Sequence, residues 1–220
     1  MKNKNPFHCF PFEKTGDGRQ YSPSSQRNGR YILDVLKKVL PKEGTVLEIA
    51  SGTGEHAVFL AHEFSHLTWQ PSDPADDKIE SIKAWIAIIP SPNLLPPIAI
   101  DAASDQWPVE NQKVTPPITA IVCINMIHVS PWAAGLGLIA AAGRILKKGG
   151  VLYFYGAYMV DGQHTAPSNV EFDKMIRKTD SRWGLRDIRD VEKEANKQGL
   201  ILKDVIPMPA NNFSVVFEKE

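Results

Sequence analysis

The run Val46-Leu47-Glu48-Ile49-Ala50-Ser51-Gly52-Thr53-Gly54 narrows the fold more than any other stretch of this chain. An apolar segment ends in a glycine turn, and an amphipathic segment, residues 55–64, follows at once. A buried parallel strand passes into a helix in this way when the helix N-terminus is to face a nucleotide-like ligand. Gly52 and Gly54 permit a tight turn and leave no Cβ between main chain and ligand. The pattern predicts strand, turn and helix, with a site at the carboxyl edge of a sheet.

The rest of the chain continues that alternation. Residues 1–24 are rich in polar, Gly, Phe and Pro residues and predict an irregular arm packed on one domain spanning residues 25–220. Ile32, Leu33, Val35, Leu36, Val39 and Leu40 recur at helical spacing until Pro41 stops them. Strands are expected at 45–50, 67–70, 97–100, 118–124, 151–155, 200–206 and 214–218. Asp73 and Pro74 resemble an N-cap and first-turn proline, opening a helix to about residue 89. Further helices are expected at 132–146, from the capping box Ser168-x-x-Glu171, and at 187–198. The linker 207–213 has no room for a crossover helix, so the last two strands must form a hairpin. An α/β fold follows: seven strands, mostly parallel, the C-terminal one antiparallel, with helices on both faces.

Composition removes several classes of function. Lys+Arg and Asp+Glu both number 25, which leaves no net field to attract nucleic acid or an anionic membrane. Cys9 and Cys123 lie in unrelated contexts, so neither a disulfide framework nor a metal site is expected. Residues 1–12 lack an apolar core of signal-peptide length, and the stretch 132–142 is too short to span a bilayer. A cytoplasmic protein is expected, monomer or homodimer, with a small-molecule partner.

Glu48-x-x-x-Gly52-x-Gly54 resembles the first motif of S-adenosylmethionine-dependent methyltransferases. Amides at the loop and helix start can hold a methionine carboxylate, and Glu48 can meet the ammonium group. Gly52-x-Gly54-x-x-Ala57 also satisfies a loose dinucleotide pattern, although Glu48 puts a charge where such a site is normally apolar. Asp73, at the end of the second strand, can accept both ribose hydroxyls. Asp101 can accept from the adenine amino group, with the Ala102 amide facing a ring nitrogen. Asn125 follows the fourth strand and can line the methionine end. His128 is the candidate general base, since its ordinary pKa is near neutrality. Trp132 and Met126 can wall an acceptor pocket.

Six ordered segments carry a wider resemblance. They are Tyr21-Ser22-Pro23-Ser24-Ser25-Gln26-Arg27-Asn28, Glu48 through His56, Gln70-Pro71-Ser72-Asp73, Asn125-Met126-Ile127-His128, Trp183-Gly184-Leu185-Arg186-Asp187 and Met208-Pro209-Ala210-Asn211-Asn212. Together they resemble the methyltransferase-like protein 26 family, also called domain of unknown function 938. The resemblance implies a Rossmann-like class I methyltransferase fold and S-adenosyl-L-methionine as cofactor, and says nothing of the acceptor. It draws attention to Arg27, which could pair with the methionine carboxylate, and to Tyr21, Asn28, Asn211 and Asn212 near the acceptor. Tyr155, Tyr158 and Trp183 could roof the site. Two other readings remain open: an NAD(P)-binding oxidoreductase, and a scaffold that binds the cofactor without turnover.

Overall fold

Strand β1 (Thr45–Ile49) is buried at every position, because parallel strands flank it on both sides. The computed structural model describes residues 13–111 and 114–220; Cys9 and the first half of the expected arm lie outside the described residues. The sheet is completed by β2 (Thr68–Pro71), β3 (Ile118–Ile124), β4 (Val151–Gly156), β5 (Leu200–Met208) and β6 (Asn212–Lys219). Their spatial order is β5-β6-β4-β3-β1-β2. β6 runs antiparallel to both neighbours, pairing Val215 with Phe154 on one side and with Val205 on the other. The expected antiparallel hairpin strand is therefore present, inserted between two strands that run parallel to each other.

Side-chain alternation along the strands divides the core in two. Leu47, Ile121, Leu152, Phe154 and Phe217 pack against helices α4 (Trp132–Ile145) and α6 (Ile188–Asn196). Val46, Ala120, Val122, Tyr153 and Val216 pack against α1 (Pro23–Val39) and α2 (Glu55–Glu63). Helix α3 (Asp76–Ile88) follows β2, and α5 (Pro167–Thr179) follows β4. No helix among the described residues is long and apolar enough to cross a membrane.

Three expectations need correction, and one feature was not foreseen. The strand expected at 97–100 is replaced by an irregular edge, whose main chain pairs with β2 and its extension through the isolated bridges Trp69–Leu94 and Ser72–Ile98. Pro96 and Pro97 between these bridges have no amide hydrogen to give, so the ladder cannot close and the regular sheet has six strands, not seven. Helix α3 starts at Asp76, and Asp73 lies free of it. The capping box at Ser168 is not formed: α5 begins at Pro167, and Glu171 pairs with Lys174 instead. Finally, residues 157–187 build a small cap on the carboxyl edge. In it Tyr158–Val160 pairs with Gln163–His164 and Arg186–Asp187, while Ile176, Trp183 and Leu185 form a separate cluster.

Beyond β1 the backbone enters the left-handed region three times, at Ala50 (φ 55), Gly52 (φ 58) and Gly54 (φ 93). A side chain at such a φ costs about 1–2 kcal/mol, part of which glycine returns through the freedom of the unfolded chain. Ala50→Gly is therefore expected to raise the melting midpoint by roughly 1–3 °C, a shift calorimetry resolves. A fall would mean that the Ala50 methyl contributes packing that outweighs its conformation.

Candidate functional site

The glycine turn and the end of β2 are joined by a carboxylate. Asp73 Oδ2 accepts from the Gly52 amide at 2.9 Å and Oδ1 from the Ala75 amide at 3.0 Å. Burial raises the Asp73 pKa to about 6, against those two hydrogen bonds and the charge of Lys78. Two amide donors leave lone pairs on the same carboxylate for further donors. The two glycines differ in what requires them. A Cβ on Gly54 would stand 3.0 Å from Ile82 Cα, so packing excludes it. A Cβ on Gly52 would meet nothing nearer than Ala50 O at 4.0 Å. The space outside the Gly52 turn is open, and it is bounded by Asp73.

Glu48 lies beneath that turn, 1% exposed, accepting from Trp69 Nε1 at 2.7 Å. Burial raises its pKa to about 7, with the Asp73 charge acting in the same direction. No cation among the described residues contributes to that shift, so among them the buried carboxylate stands without a counter-charge. Below the ordinary carboxyl pKa near 4.5 both folded and unfolded chains hold the proton. Between there and pH 7 only the folded chain holds it, so stability falls as pH rises through this window. Glu48→Gln is expected to melt above the parent at pH 8 and to flatten this part of the decline, Asp73 supplying the rest. Equal slopes from pH 5 to 8 for parent and variant would refute the assignment.

The arm seen from residue 13 onward is fastened beside the turn. Gln20 N donates to Ser81 Oγ at 2.9 Å, Ser81 Oγ donates to Thr53 O at 2.7 Å, and Trp85 Nε1 donates to Gln20 O at 2.9 Å. The buried Lys78 reaches Gln20 Oε1, and Ser22 N donates to Glu55. Tyr21 sits edge-on to Trp85 at 4.9 Å. In α1 Arg27 is exposed and Asn28 is buried. Asn28 Oδ1 is 2.8 Å from His56 Nε2, and burial raises the pKa of Tyr155, against the influence of Asn28 and of Arg27. Three elements thus converge on the end of β4.

The remaining candidates are spread along the carboxyl edge. Asp101 is exposed and accepts from Ala103 N at 2.9 Å, with Ala102 buried beside it. Asn125 takes a left-handed φ of 64 and donates its amide to Tyr155 O at 2.8 Å. His128 is 2% exposed, its ring edge-on to Phe172 at 5.5 Å and its Nδ1 without a hydrogen-bond partner. Burial lowers its pKa to about 3, so the ring is neutral and weakly basic at pH 7. Met126 is buried, and Ser130 Oγ donates to its carbonyl at 2.9 Å. Trp132 is covered by the Arg186 guanidinium, 5.3 Å from the ring centre. Tyr158 is buried in the main core and Trp183 in the cap. Asn211 donates to Ser168 Oγ and Asn212 to Pro209 O, so both tie down the hairpin turn.

Two hollows of ≈ 450 and ≈ 470 Å³ open on the cap, lined by residues such as Trp132, Met159 and Arg186 or His164, Pro167 and Val170, and neither includes the glycine turn. Among the described residues no group of three His, Cys, Asp or Glu is placed to hold a metal ion. Sequence reasoning passed over Trp69, Lys78 and His56. Only His56 carried a positional signal, as the second residue of the helix that follows the glycine turn.

A family model described as "Protein of unknown function (DUF938)" matches residues 19–219. Solved structures share the fold at low identity. An O-methyltransferase family protein from Burkholderia thailandensis is 15% identical with a TM-score of 0.73, over 90% of this chain and 57% of that one. An O-methyltransferase family 2 protein from Planctomyces limnophilus, in complex with apigenin, is 18% identical (TM-score 0.66; 89% and 62%). The magnesium protoporphyrin IX methyltransferase from Synechocystis, with bound S-adenosylhomocysteine, is 12% identical (TM-score 0.64; 89% and 83%). The chain spans less than two thirds of the first two proteins. At these identities the likeness is one of fold, the Rossmann-like fold of S-adenosylmethionine-dependent methyltransferases.

Proposed function

The chain belongs to the DUF938 family, and from that membership together with the geometry of the glycine turn we propose a methyltransferase that uses S-adenosyl-L-methionine. Within the family we place it with the methyltransferase-like protein 26 group, which its six segments resemble. The observation that carries the reading is the buried, uncompensated Glu48 beneath an open turn that Asp73 bounds. A dinucleotide offers Glu48 no cation that can donate a hydrogen bond, whereas an amino-acid ammonium matches it, directly or through water.

The residues divide the work along the edge of the sheet. Asp73 accepts from the vicinal ribose hydroxyls, while Gly52 lets the main chain approach and Gly54 holds the turn against Ile82. Arg27 and the N-terminus of α2 favour the carboxylate. Asp101 and Ala102 face the adenine edge, and Asn125 the methionine chain. When bound, the cofactor supplies a methyl group on a sulfonium, already a good leaving group. What remains for the protein is to align an acceptor in line and to exclude water.

Tyr21, Trp132, Tyr155 and Trp183 form the surroundings of that acceptor, which we take to be a small molecule. Structural neighbours in complex with, or named for, small molecules of that kind, apigenin and magnesium protoporphyrin IX among them, support this class. His128 is the residue nearest in type to a general base, but a ring with a pKa of about 3 takes protons poorly at neutral pH. We assign it to supporting the cap.

Melting the protein with S-adenosylmethionine, S-adenosylhomocysteine or NADH tests this reading. A ligand at about a hundred times its dissociation constant stabilises the folded state by roughly 2.7 kcal/mol. Both sulfur ligands should raise the midpoint by several degrees, and Asp73→Ala should abolish the shift. A rise with NADH alone would sink the proposal.

A further inference from the structure

We propose that Trp69 is a positioning residue: its indole N–H holds one oxygen of the Glu48 carboxylate and leaves the other to the ammonium group of a bound amino-acid nucleoside. The inference rests on the methyltransferase reading and adds to it what aims the carboxylate.

Sheet register brings the two side chains together. Trp69 on β2 pairs with Val46 on β1, and Val46 and Glu48, two positions apart, share one face of the sheet. The indole spans that step along the strand, and its Nε1 donates to Glu48 Oε2 at 2.7 Å. The donor has little freedom. Trp69 is fully buried and its ring stacks on Phe64 at 6.1 Å. Its main chain is held by β1 on one side and by Asn93 O and the Leu95 amide on the other. A phenylalanine could pack here; what the indole adds is a donor fixed on the carboxylate.

That bond has one possible direction. An indole nitrogen only donates, so Oε2 accepts whether or not Glu48 is ionised. A carbonyl oxygen accepts better than a hydroxyl, so when Glu48 is protonated the proton resides on Oε1. No other hydrogen bond to the carboxylate forms among the described residues, although Ser51 is near enough to favour its ionised form. The Glu48 carbonyl accepts from Ser72 Oγ at 2.7 Å, which sets the residue directly below the end of β2 where Asp73 bounds the open turn.

The charged and titratable surroundings leave Oε1 short of a cation. Asp73 opposes ionisation of Glu48, and Cys123 is a thiol whose pKa burial pushes up to about 12. Lys78 acts on Asp73. On α2, Glu55 is engaged by Ser22 N and Thr53 Oγ1, and burial keeps His56 neutral. Oε1 thus takes either a proton or a cationic donor brought by the ligand. An ammonium group supplies both charge and N–H, and on its arrival the Glu48 proton leaves to solvent.

Two probes isolate the amino-acid end: S-adenosylhomocysteine, and 5′-methylthioadenosine, which keeps the nucleoside and sulfur but lacks the amino acid. In NMR spectra of the full chain, the Trp69 indole N–H signal, identified by its loss in Trp69→Phe, reports on Glu48. It should titrate with a midpoint of about 7 in the free protein, and Glu48→Gln should abolish that step. S-adenosylhomocysteine should lower the midpoint by about 1–3 pH units, the effect of an opposite charge at close range. Methylthioadenosine should leave it in place. Dissociation constants from titration calorimetry supply the second readout. Replacing Trp69 by benzothienylalanine, an isostere with sulfur in place of the N–H, keeps the packing and removes the donor. It should weaken S-adenosylhomocysteine about tenfold, the size of one hydrogen bond to a charged group, and methylthioadenosine by less than about twofold. In a Glu48→Gln background the same replacement should cost S-adenosylhomocysteine far less, because the two groups act as one. A midpoint unmoved by S-adenosylhomocysteine overturns the proposal. So does an equal loss for both probes, which marks a packing role. Failure of the parent protein to bind either probe would instead bring down the methyltransferase reading.

Discussion

A Gly52→Ala variant is expected to fold, to melt a few degrees below the parent, and to bind S-adenosylhomocysteine at least about a hundredfold more weakly, some 2.7 kcal/mol. The modest structural effect follows from the space around the residue. Among the described residues, chain neighbours aside, no atom lies within 4 Å of an added Cβ except Ala50 O at 4.0 Å. The strain of φ 58 in a non-glycine residue is one the same turn already accepts at Ala50, where φ is 55. That strain is worth about 1–2 kcal/mol, or roughly 2–8 °C in a chain of this length. The binding effect has another origin. The methyl group would occupy the outside of the turn, where the main chain must approach the ligand, next to the carboxylate of Asp73.

Gly54→Ala supplies the contrast. Its Cβ would press on Ile82 Cα at 3.0 Å and on Ile82 Cγ1 at 3.1 Å, under a φ of 93. It should lose stability first, and binding only in consequence. Calorimetric melting and ligand titration on both variants separate the two cases. Full affinity in a folded Gly52→Ala protein would remove the turn from the proposed site.

The reasons for these glycines were only partly legible in the sequence. The apolar run 118–124, the turn after Glu48 and the short linker before β6 each express a local rule, and all appear as expected. The strand expected at 97–100 does not form because Pro96 and Pro97 deny it a ladder, although both prolines stand in the sequence. The Asp73–Pro74 cap failed for a different reason. The carboxylate that would have capped α3 bonds Gly52, twenty-one positions away, and local pattern cannot rank the two. The cap over the carboxyl edge is built from strands of two or three residues, too short to show any periodicity. Glu48 was visible as an acidic residue, yet its partner Trp69 is set by the register of β2 against β1. The His56–Asn28 contact joins two helices twenty-eight positions apart, and no spacing rule reaches it.

Gly156→Ala is expected to be the most destabilising methyl addition near the cap, and His128→Ala should rescue much of the loss. The added Cβ would stand 2.3 Å from His128 Cε1 and 2.8 Å from Nδ1. The imidazole cannot easily yield. It is 2% exposed, packs edge-on against Phe172, and its own carbonyl accepts from Gly184 N at 3.0 Å. Overpacking of this kind costs about 1–3 kcal/mol, here towards the upper end. His128→Ala alone forfeits the ring contacts, a loss reduced because the unpartnered Nδ1 leaves the interior with it. With the ring absent, the methyl added at position 156 enters the vacated space. The double variant should therefore be more stable than the sum of the single losses by about 1–3 kcal/mol.

Denaturant midpoints at two pH values complete the test. The His128 pKa is lowered to about 3 in the folded chain, so only the unfolded chain takes up that proton as pH falls below about 6.5. His128 accordingly contributes a loss of stability on acidification through this window, as does His56 with a folded pKa of about 4, and both oppose the gain that Glu48 and Asp73 contribute over the same range. A chain without His128 escapes its share of that loss. The cost of His128→Ala should thus be smaller at pH 5 than at pH 8. Additive losses, or a cost independent of pH, would mean that His128 is not the buried neutral wedge between sheet and cap, and would return it to candidacy as a base.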